Sequence, residues 1–330
     1  MKKTIFLLIS IVFFTSLLVG YYLIFTIPKH IEPRQTVTLW VPPGSSSSRI
    51  ATQLGQSGIL IHPIPLKALV KILKTEKQLK PGEYNFEVPS STWEVYQKLL
   101  KGDVTVHRVT FPEGLTAKES LNMLSMALGV NTKILSSTLK DDALRQRLGV
   151  PSPRFEGFLF PDTYKFTKTQ PPEKMIEIMV TRFFEHISQE NLNKARNLKM
   201  NLLQWITLAS IIEKESGVMK EHPIIASVFH NRLAKKMRLQ SDPTVIYGIP
   251  NFNGNLTKKN LQKPTPYNTY TQNGLPPGPI CNPGASAIKA AVNPAKTNYL
   301  YFVATGNGEH VFSEDYKTHL KYVAMYQLKR

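Results

Sequence analysis

The chain has 330 residues, 41 of them basic and 23 acidic, for a formal charge of +18. That excess favours polyanionic surroundings, but the lysines are scattered and neither a helix-turn-helix pattern nor an RNA-binding consensus is present, so nucleic acid is set aside as a partner. The single cysteine, Cys281, excludes an intrachain disulfide and has no catalytic-cysteine signature around it; no Cys/His pairs carry zinc spacing, and neither metal nor cofactor is expected.

Lys2 and Lys3 precede a stretch without charge from Thr4 to Pro28. As a helix, residues 5–27 reach about 35 Å, against the roughly 30 Å of a bilayer core. A cleaved signal peptide wants small residues before its cleavage site, and Tyr21, Tyr22 and Phe25 stand there instead. The expectation is an uncleaved anchor behind a cytoplasmic tail (1–4), with a linker at 28–35. The two N-terminal lysines place the N-terminus inside, although Lys29 and Arg34 on the far side reduce the charge contrast. The rest of the chain then lies outside the cytoplasmic membrane.

"VTLWVPPGSSSSRIATQL" from 37 is echoed by "HRVTFPEGLTAKESLNML" from 107. Each has a short strand-like run, a Pro-x-Gly turn and a helix start capped by Ser or Thr. Between them come a turn, an alternating strand (Tyr84, Phe86, Val88), a Ser-capped helix and a terminating Gly102. Such strand-helix units suit a binding or positioning module. Residues 131–150 read as helical and charged, and 151–166 as a proline-bounded aromatic segment. Helices are predicted at about 172–198, at 201–216 and after Pro223. From 238 the chain is an ordered-loop composition rich in Pro, Gly, Asn and Tyr. A short helix from 284, a strand at 299–306, "HVFS" and a last helix complete an α+β fold.

"NLLQWITLASIIEKESG" is apolar almost all round, the mark of a buried helix. Glu213 and Glu215 lie about 200° apart on it, at about 100° per residue, so they cannot face each other across a substrate as a glycosidase pair must. Wheel position alone does not choose between them. Two features favour Glu215: it ends the helix, where a buried element opens into a cleft, and the negative end of the helix dipole and apolar neighbours both disfavour its ionisation. A carboxylic acid that stays protonated near neutral pH is what general-acid cleavage of a glycosidic bond needs. Lys214 works in the opposite direction.

The loops supply groups that bind sugar hydroxyls, acetamides and ring faces: Gln240, Asp242, Tyr247, Tyr267, Asn268, Tyr270 and Asn282, with Glu156, Asp162 and Tyr164 earlier in the chain. In order, "EGFLFPDTY" (156–164), "ASIIEKES" (209–216), "ASVFHNRL" (226–233), "MRLQSDPTVIYG" (237–248), "TPYNTY" (265–270) and "GLPPGPICNPG" (274–284) resemble the endolytic murein transglycosylases of the MltG/YceG-like family. The resemblance covers about residues 36–325. It implies that Glu215 is the catalytic acid and that residues 36–104 form a LysM-like module. A mostly helical catalytic region with short strands and long ordered loops follows at 105–330, with its core at about 155–325. Ser216 and Asn231, within the matching motifs, join Glu156, Asp162, Tyr164, Gln240, Asp242, Tyr247, Asn268 and Tyr270 as expected substrate-binding residues; His230 is a poor catalytic candidate. The implied reaction cuts the β-1,4 bond between N-acetylmuramic acid and N-acetylglucosamine, with the sugar's own 6-hydroxyl as nucleophile, so no second carboxylate is required. Peptidoglycan strands, the bilayer through residues 5–27 and, by resemblance alone, peptidoglycan synthases (penicillin-binding proteins) are the expected partners.

Three other functions compete: a hydrolytic muramidase, a non-catalytic glycan-binding anchor, and a serine acyl-transferase built on "SAIK" (Ser286–Lys289) or "STLK" (Ser137–Lys140). The last has the wrong spacing to the "KTN" at 296 and lacks an intervening Ser-x-Asn.

Overall fold

The computed structural model describes residues 2–26 and 35–328; most of the linker, with Lys29 and Arg34, lies outside them. Helix α1 (Lys2–Phe25) is, among the described residues, the one helix long and apolar enough to cross a membrane, over Lys3–Phe25. Its exposed leucines, isoleucines and phenylalanines have no core to enter, as a bilayer-facing surface requires.

The chain divides into two compact units, Met1–Arg108 with Lys165–Gln170, and Val109–Tyr164 with Pro171–Arg330. In the first, β1 (Gln35–Val41) leads through a Pro-Pro-Gly turn into α2 (Ser47–Gln56) and α3 (Ile64–Ile72); β2 (Gly82–Val88) and α4 (Thr92–Lys101) follow. β2 runs antiparallel to β1, from Gln35 opposite Val88 to Val41 opposite Gly82. Period-two alternation sends Tyr84 and Phe86 inward, where they meet Ile50, Leu54, Val95 and Leu99. The Ser91 hydroxyl and the Glu94 side chain close a capping box at the start of α4, and left-handed Gly102 ends it. Glu83, buried on β2, takes hydrogen bonds from Lys168 and His107, which fastens segment 165–170 to this unit.

Strands β3 (His107–Thr110) and β4 (Thr163–Phe166) pair, and the division between the units falls within both. The second unit repeats the local design of β1 and α2. Gly114 turns with φ +78°, as Gly44 does with φ +77°, and the Thr116 hydroxyl caps α5 (Ala117–Leu128) as Ser46 caps α2. Then come α6 (Thr132–Thr138), α7 (Asp142–Arg147), α8 (Pro172–Glu185) and α9 (Gln189–Asn197). The single helix expected over 172–198 is thus two: Ser188 turns extended and its hydroxyl accepts from Asn191 N–H, which starts a new helix.

Helix α10 (Leu202–Glu215) is the core of the unit; Trp205, Ile206, Leu208, Ala209, Ile211 and Ile212 are all fully buried on it. A 3-10 turn (Met219–Glu221) leads into α11 (His222–Ala234). The predicted long loop carries two short helices, α12 (Asp242–Tyr247) and α13 (Lys258–Gln262). Helix α14 (Ala285–Val292) packs on α10, where its Ile288 carbonyl accepts from Trp205 Nε1 at 2.7 Å. The hairpin of β5 (Tyr301–Ala304) and β6 (His310–Ser313) and helix α15 (Tyr316–Tyr326) end the fold.

Candidate active site

The two glutamates of α10 have separate surroundings, as their angular separation demands. Glu213 accepts the Gly284 N–H at 3.0 Å; burial raises its pKa, with Glu113 adding to the effect. Glu215 is half-buried at the last turn and accepts a hydrogen bond from the Ser241 hydroxyl. Burial pushes its carboxyl up to about 7, and the nearby charge of Asp242 pushes the same way; Ser241 and the Arg232 guanidinium oppose this without cancelling it.

Glu215 lines a cavity of about 510 Å³ with Arg232, Gln240, Asp242, Tyr270, Tyr301 and His310 among its walls. Each wall has a local cause. Helix α11 begins with Pro223 in its first turn and carries Arg232 near its end. Arg232 is buried, with Nε on the Leu300 carbonyl at 2.6 Å, Nη1 on the Leu239 carbonyl at 2.7 Å, and its guanidinium 5.3 Å from the centre of the Tyr301 ring. Those contacts fix a cation beside Glu215 without a direct ion pair. Ser241 precedes α12, and its N–H donates to the Thr269 hydroxyl at 2.9 Å, which aims the Ser241 side chain at Glu215. The exposed Asp242 follows, and the Tyr270 hydroxyl donates to its Oδ1 at 2.7 Å. The cavity therefore combines one poorly ionised acid, one exposed carboxylate, a fixed cation and phenolic rings, which equips it to protonate a bridging oxygen and to stand beside a developing positive charge.

Of the substrate-binding residues expected from sequence, Gln240, Asp242 and Tyr270 come together with Glu215. The rest stand elsewhere. Glu156 and Tyr247 meet each other, the tyrosine hydroxyl donating at 3.1 Å, in a separate cavity. Asp162 pairs with Arg182 at 2.8 Å, while the Tyr164 hydroxyl donates to the Phe160 carbonyl at 2.7 Å. The Ser216 hydroxyl donates to Glu221 at 2.9 Å, closing the turn after α10. Asn231 donates to the Thr297 and Tyr299 carbonyls. Asn268 is fully buried and donates to three carbonyls at the C-terminal end of α13, those of Asn260, Leu261 and Lys263. Asn282 knits the unit: its Oδ1 accepts from Gly157 and Leu159 N–H, and its Nδ2 donates to the Leu115 carbonyl.

Ser241, Arg232, Tyr301 and His310 were absent from the expected set. Ser241 stands between Gln240 and Asp242, and Arg232 inside "HNRL", so the motifs contained both without marking them. His230 donates to the Ala291 carbonyl at 2.8 Å, away from the cavity. Ser286 faces His222, and Cys281 is buried with its thiol pKa pushed up, a packing residue.

The sequence profile of the YceG-like family matches residues 39–325. An endolytic murein transglycosylase of Bacillus subtilis (strain 168) is 32% identical over 310 residues, which span 89% of this chain and 86% of that protein. One of Streptococcus pneumoniae (serotype 2, strain D39) is 29% identical over 92% of this chain, which spans 61% of its length. A crystal structure of a yceG-like protein from Listeria monocytogenes superposes with a TM-score of 0.59 at 32% identity, covering 87% of this chain and 99% of that one. By the extent of these matches, the chain belongs to the YceG-like family.

Proposed function

We infer that the chain is a membrane-anchored endolytic murein transglycosylase that cleaves peptidoglycan strands, as its similarity to the Bacillus protein implies. One observation carries the chemistry: Glu215, held by Ser241 in a cleft, has its carboxyl raised to about 7. Such a group is protonated in a large fraction of molecules near neutral pH and can give its proton to the glycosidic oxygen. The resulting carboxylate then takes the proton of the 6-hydroxyl as that oxygen closes on the anomeric carbon, giving a 1,6-anhydromuramic acid end. Asp242 and the Tyr270 ring are the proposed sugar-binding groups, with Asp242 favouring the positive charge that builds on the sugar; their sharing the cavity with Glu215 supports this.

Residues 36–104 are proposed as a LysM-like glycan-holding module; the strand–helix–helix–strand order of β1, α2, α3 and β2 supports this. The region from 105 onward is the proposed catalytic part. The proposed topology has α1 in the cytoplasmic membrane, the N-terminus inside and the rest facing the wall. Strands still being polymerised would be the substrate and the synthases that make them the partners; cutting there would terminate elongation.

Mass spectrometry of muropeptides released by the wild type and by Glu215→Gln tests this. Anhydro ends from the wild type and no cleavage by a folded Glu215→Gln are expected. Full activity of that variant, or loss only in Glu213→Gln, refutes the assignment of the acid. A hydrolytic muramidase is the second reading, favoured by Asp242 sharing the cavity with Glu215; reducing muramic acid ends would establish it.

A further inference from the structure

Away from Glu215, the second unit holds another cavity, of about 780 Å³, between α5 and α6. Its volume is within the range of small-ligand sites. Leu121, Leu139 and Phe155 give it apolar walls, and Lys118, Lys140 and Arg154 place three exposed cations at its edge. Lys118 and Lys140 make no ion pair among the described residues, and Asp142, the nearby wall acid, pairs with Arg145 at 2.9 Å. The floor is Glu156, whose two oxygens are held by the Ala117 N–H at 2.9 Å and the Tyr247 hydroxyl at 3.1 Å. Burial raises its carboxyl to about 7, so near neutral pH it is only partly ionised beneath the cationic rim.

The two cavities meet opposite ends of one element. Helix α12 begins with Asp242 in the Glu215 cavity and ends with Tyr247 on Glu156. Six helical residues separate their Cα atoms by about 8 Å along the axis, less than the ~10 Å reach of three extended peptide residues. In a peptide-bearing peptidoglycan strand the lactyl carboxyl of each muramic acid is consumed in the amide to the peptide, so the sugars themselves are neutral and give three cations and an apolar wall nothing to recognise. The short peptide that branches from a peptidoglycan strand, with free carboxylates and methyl side chains, has both features.

We propose that the cavity between α5 and α6 binds the carboxylate-bearing peptide of the peptidoglycan strand while Glu215 cuts the glycan. This rests on the transglycosylase function inferred above. The cations pair with a peptide carboxylate, and Leu121, Leu139 and Phe155 receive its methyl groups.

The test uses the full chain in detergent micelles and the double variant Lys118→Glu/Lys140→Glu, with Lys133→Glu/Lys258→Glu as a charge-matched control. The first readout is binding of a sugar-free, alanine-terminated stem peptide followed by NMR. Affinity should fall about tenfold in the double variant and on amidation of the peptide's terminal carboxylates, the magnitude of two exposed ion pairs. The second readout is kcat/KM on peptide-bearing strands and on peptide-stripped strands whose freed lactyl carboxylates have been converted to methylamides, where the double variant should lose about tenfold on the former and less than twofold on the latter. Equal binding of acid and amide peptides, equal losses on both strands, or losses matched by the control variant overturn the proposal. So does a defect confined to binding of anionic phosphatidylglycerol vesicles, which would assign the cations to lipid phosphate. If the wild type cuts neither strand, the transglycosylase function fails, and the peptide-binding readout still decides the cavity.

Discussion

Replacing Ser241 with alanine removes the hydroxyl that donates to Glu215 and little else. Ser241 is buried, its side chain does not cap α12, and its backbone N–H stays on Thr269. A hydrogen bond to a charged group contributes about 1.5–3 kcal/mol, and about 1.36 kcal/mol corresponds to one pKa unit. The bond favours the ionised form, so its loss raises the Glu215 pKa by about 1–2 units above its value of about 7. A general acid works while protonated, so activity falls as pH rises through its pKa. Measured as kcat/KM for strand cleavage between about pH 5 and 10, which reports the free enzyme, the alkaline limb of Ser241→Ala should move up by about 1–2 units. The plateau below it should drop, because the weaker acid donates less readily. An alkaline limb that stays in place or moves down refutes Glu215 as the acid, or Ser241 as its partner.

Glu215 and Glu156 both have folded-state values raised from 4.5 to about 7, chiefly by burial. Their contribution to stability is present below about pH 4.5 and is lost as pH rises to about 7, up to about 3 kcal/mol for each; Glu215→Gln should therefore raise the urea midpoint at pH 8 and leave it unaltered at pH 4, and a lowered midpoint at pH 8 contradicts the sign. Asn282→Ala leaves the Gly157 and Leu159 N–H groups without their acceptor and should cost about 3 kcal/mol in urea unfolding; a loss under about 1 kcal/mol would show that solvent replaces it. Gly157 has φ +88°, and a Cβ there would stand 2.5 Å from Pro279 Cβ and Cγ, so Gly157→Ala should lower the melting temperature with a cost of about 3 kcal/mol; a wild-type melting temperature refutes that packing.

Elements whose signals are local were legible in the sequence. Ser91 and Gly102 bound α4 because capping needs only the residues at hand, and the charge-free, mostly apolar run 202–212 announced a buried helix. The angle between Glu213 and Glu215 followed from helix geometry alone. Helix α3 was missed, since its nine residues carry no capping serine or threonine and Pro63 stands at its start. The loop residues were harder for another reason. Asn268 and Tyr270 are two positions apart in one amide- and hydroxyl-rich stretch, yet Asn268 turns inward to three carbonyls and Tyr270 reaches Asp242. That choice depends on packing between distant segments, which composition does not encode. Ser241 was hidden similarly, its role being set by Thr269 on another loop.

The side chain of Asn282 reaches across 167 positions to Leu115 and across 125 to Gly157. A chain made N-terminus first at about 5–20 residues per second has to wait roughly 10–30 s between the emergence of Leu115 and that of its partner. Through that interval the segment from Phe155 to Phe160, buried in the finished fold, is without its clamp and carries four aromatic and aliphatic side chains into an unassembled surface. The floor of the Glu156 cavity and the frame around α10 thus close late and together, once nearly all of the chain has been made. Biogenesis of this protein is consequently most vulnerable to aggregation during the last part of its translation, and slowing synthesis between residues 160 and 282 should lower its yield more than an equal delay before residue 108.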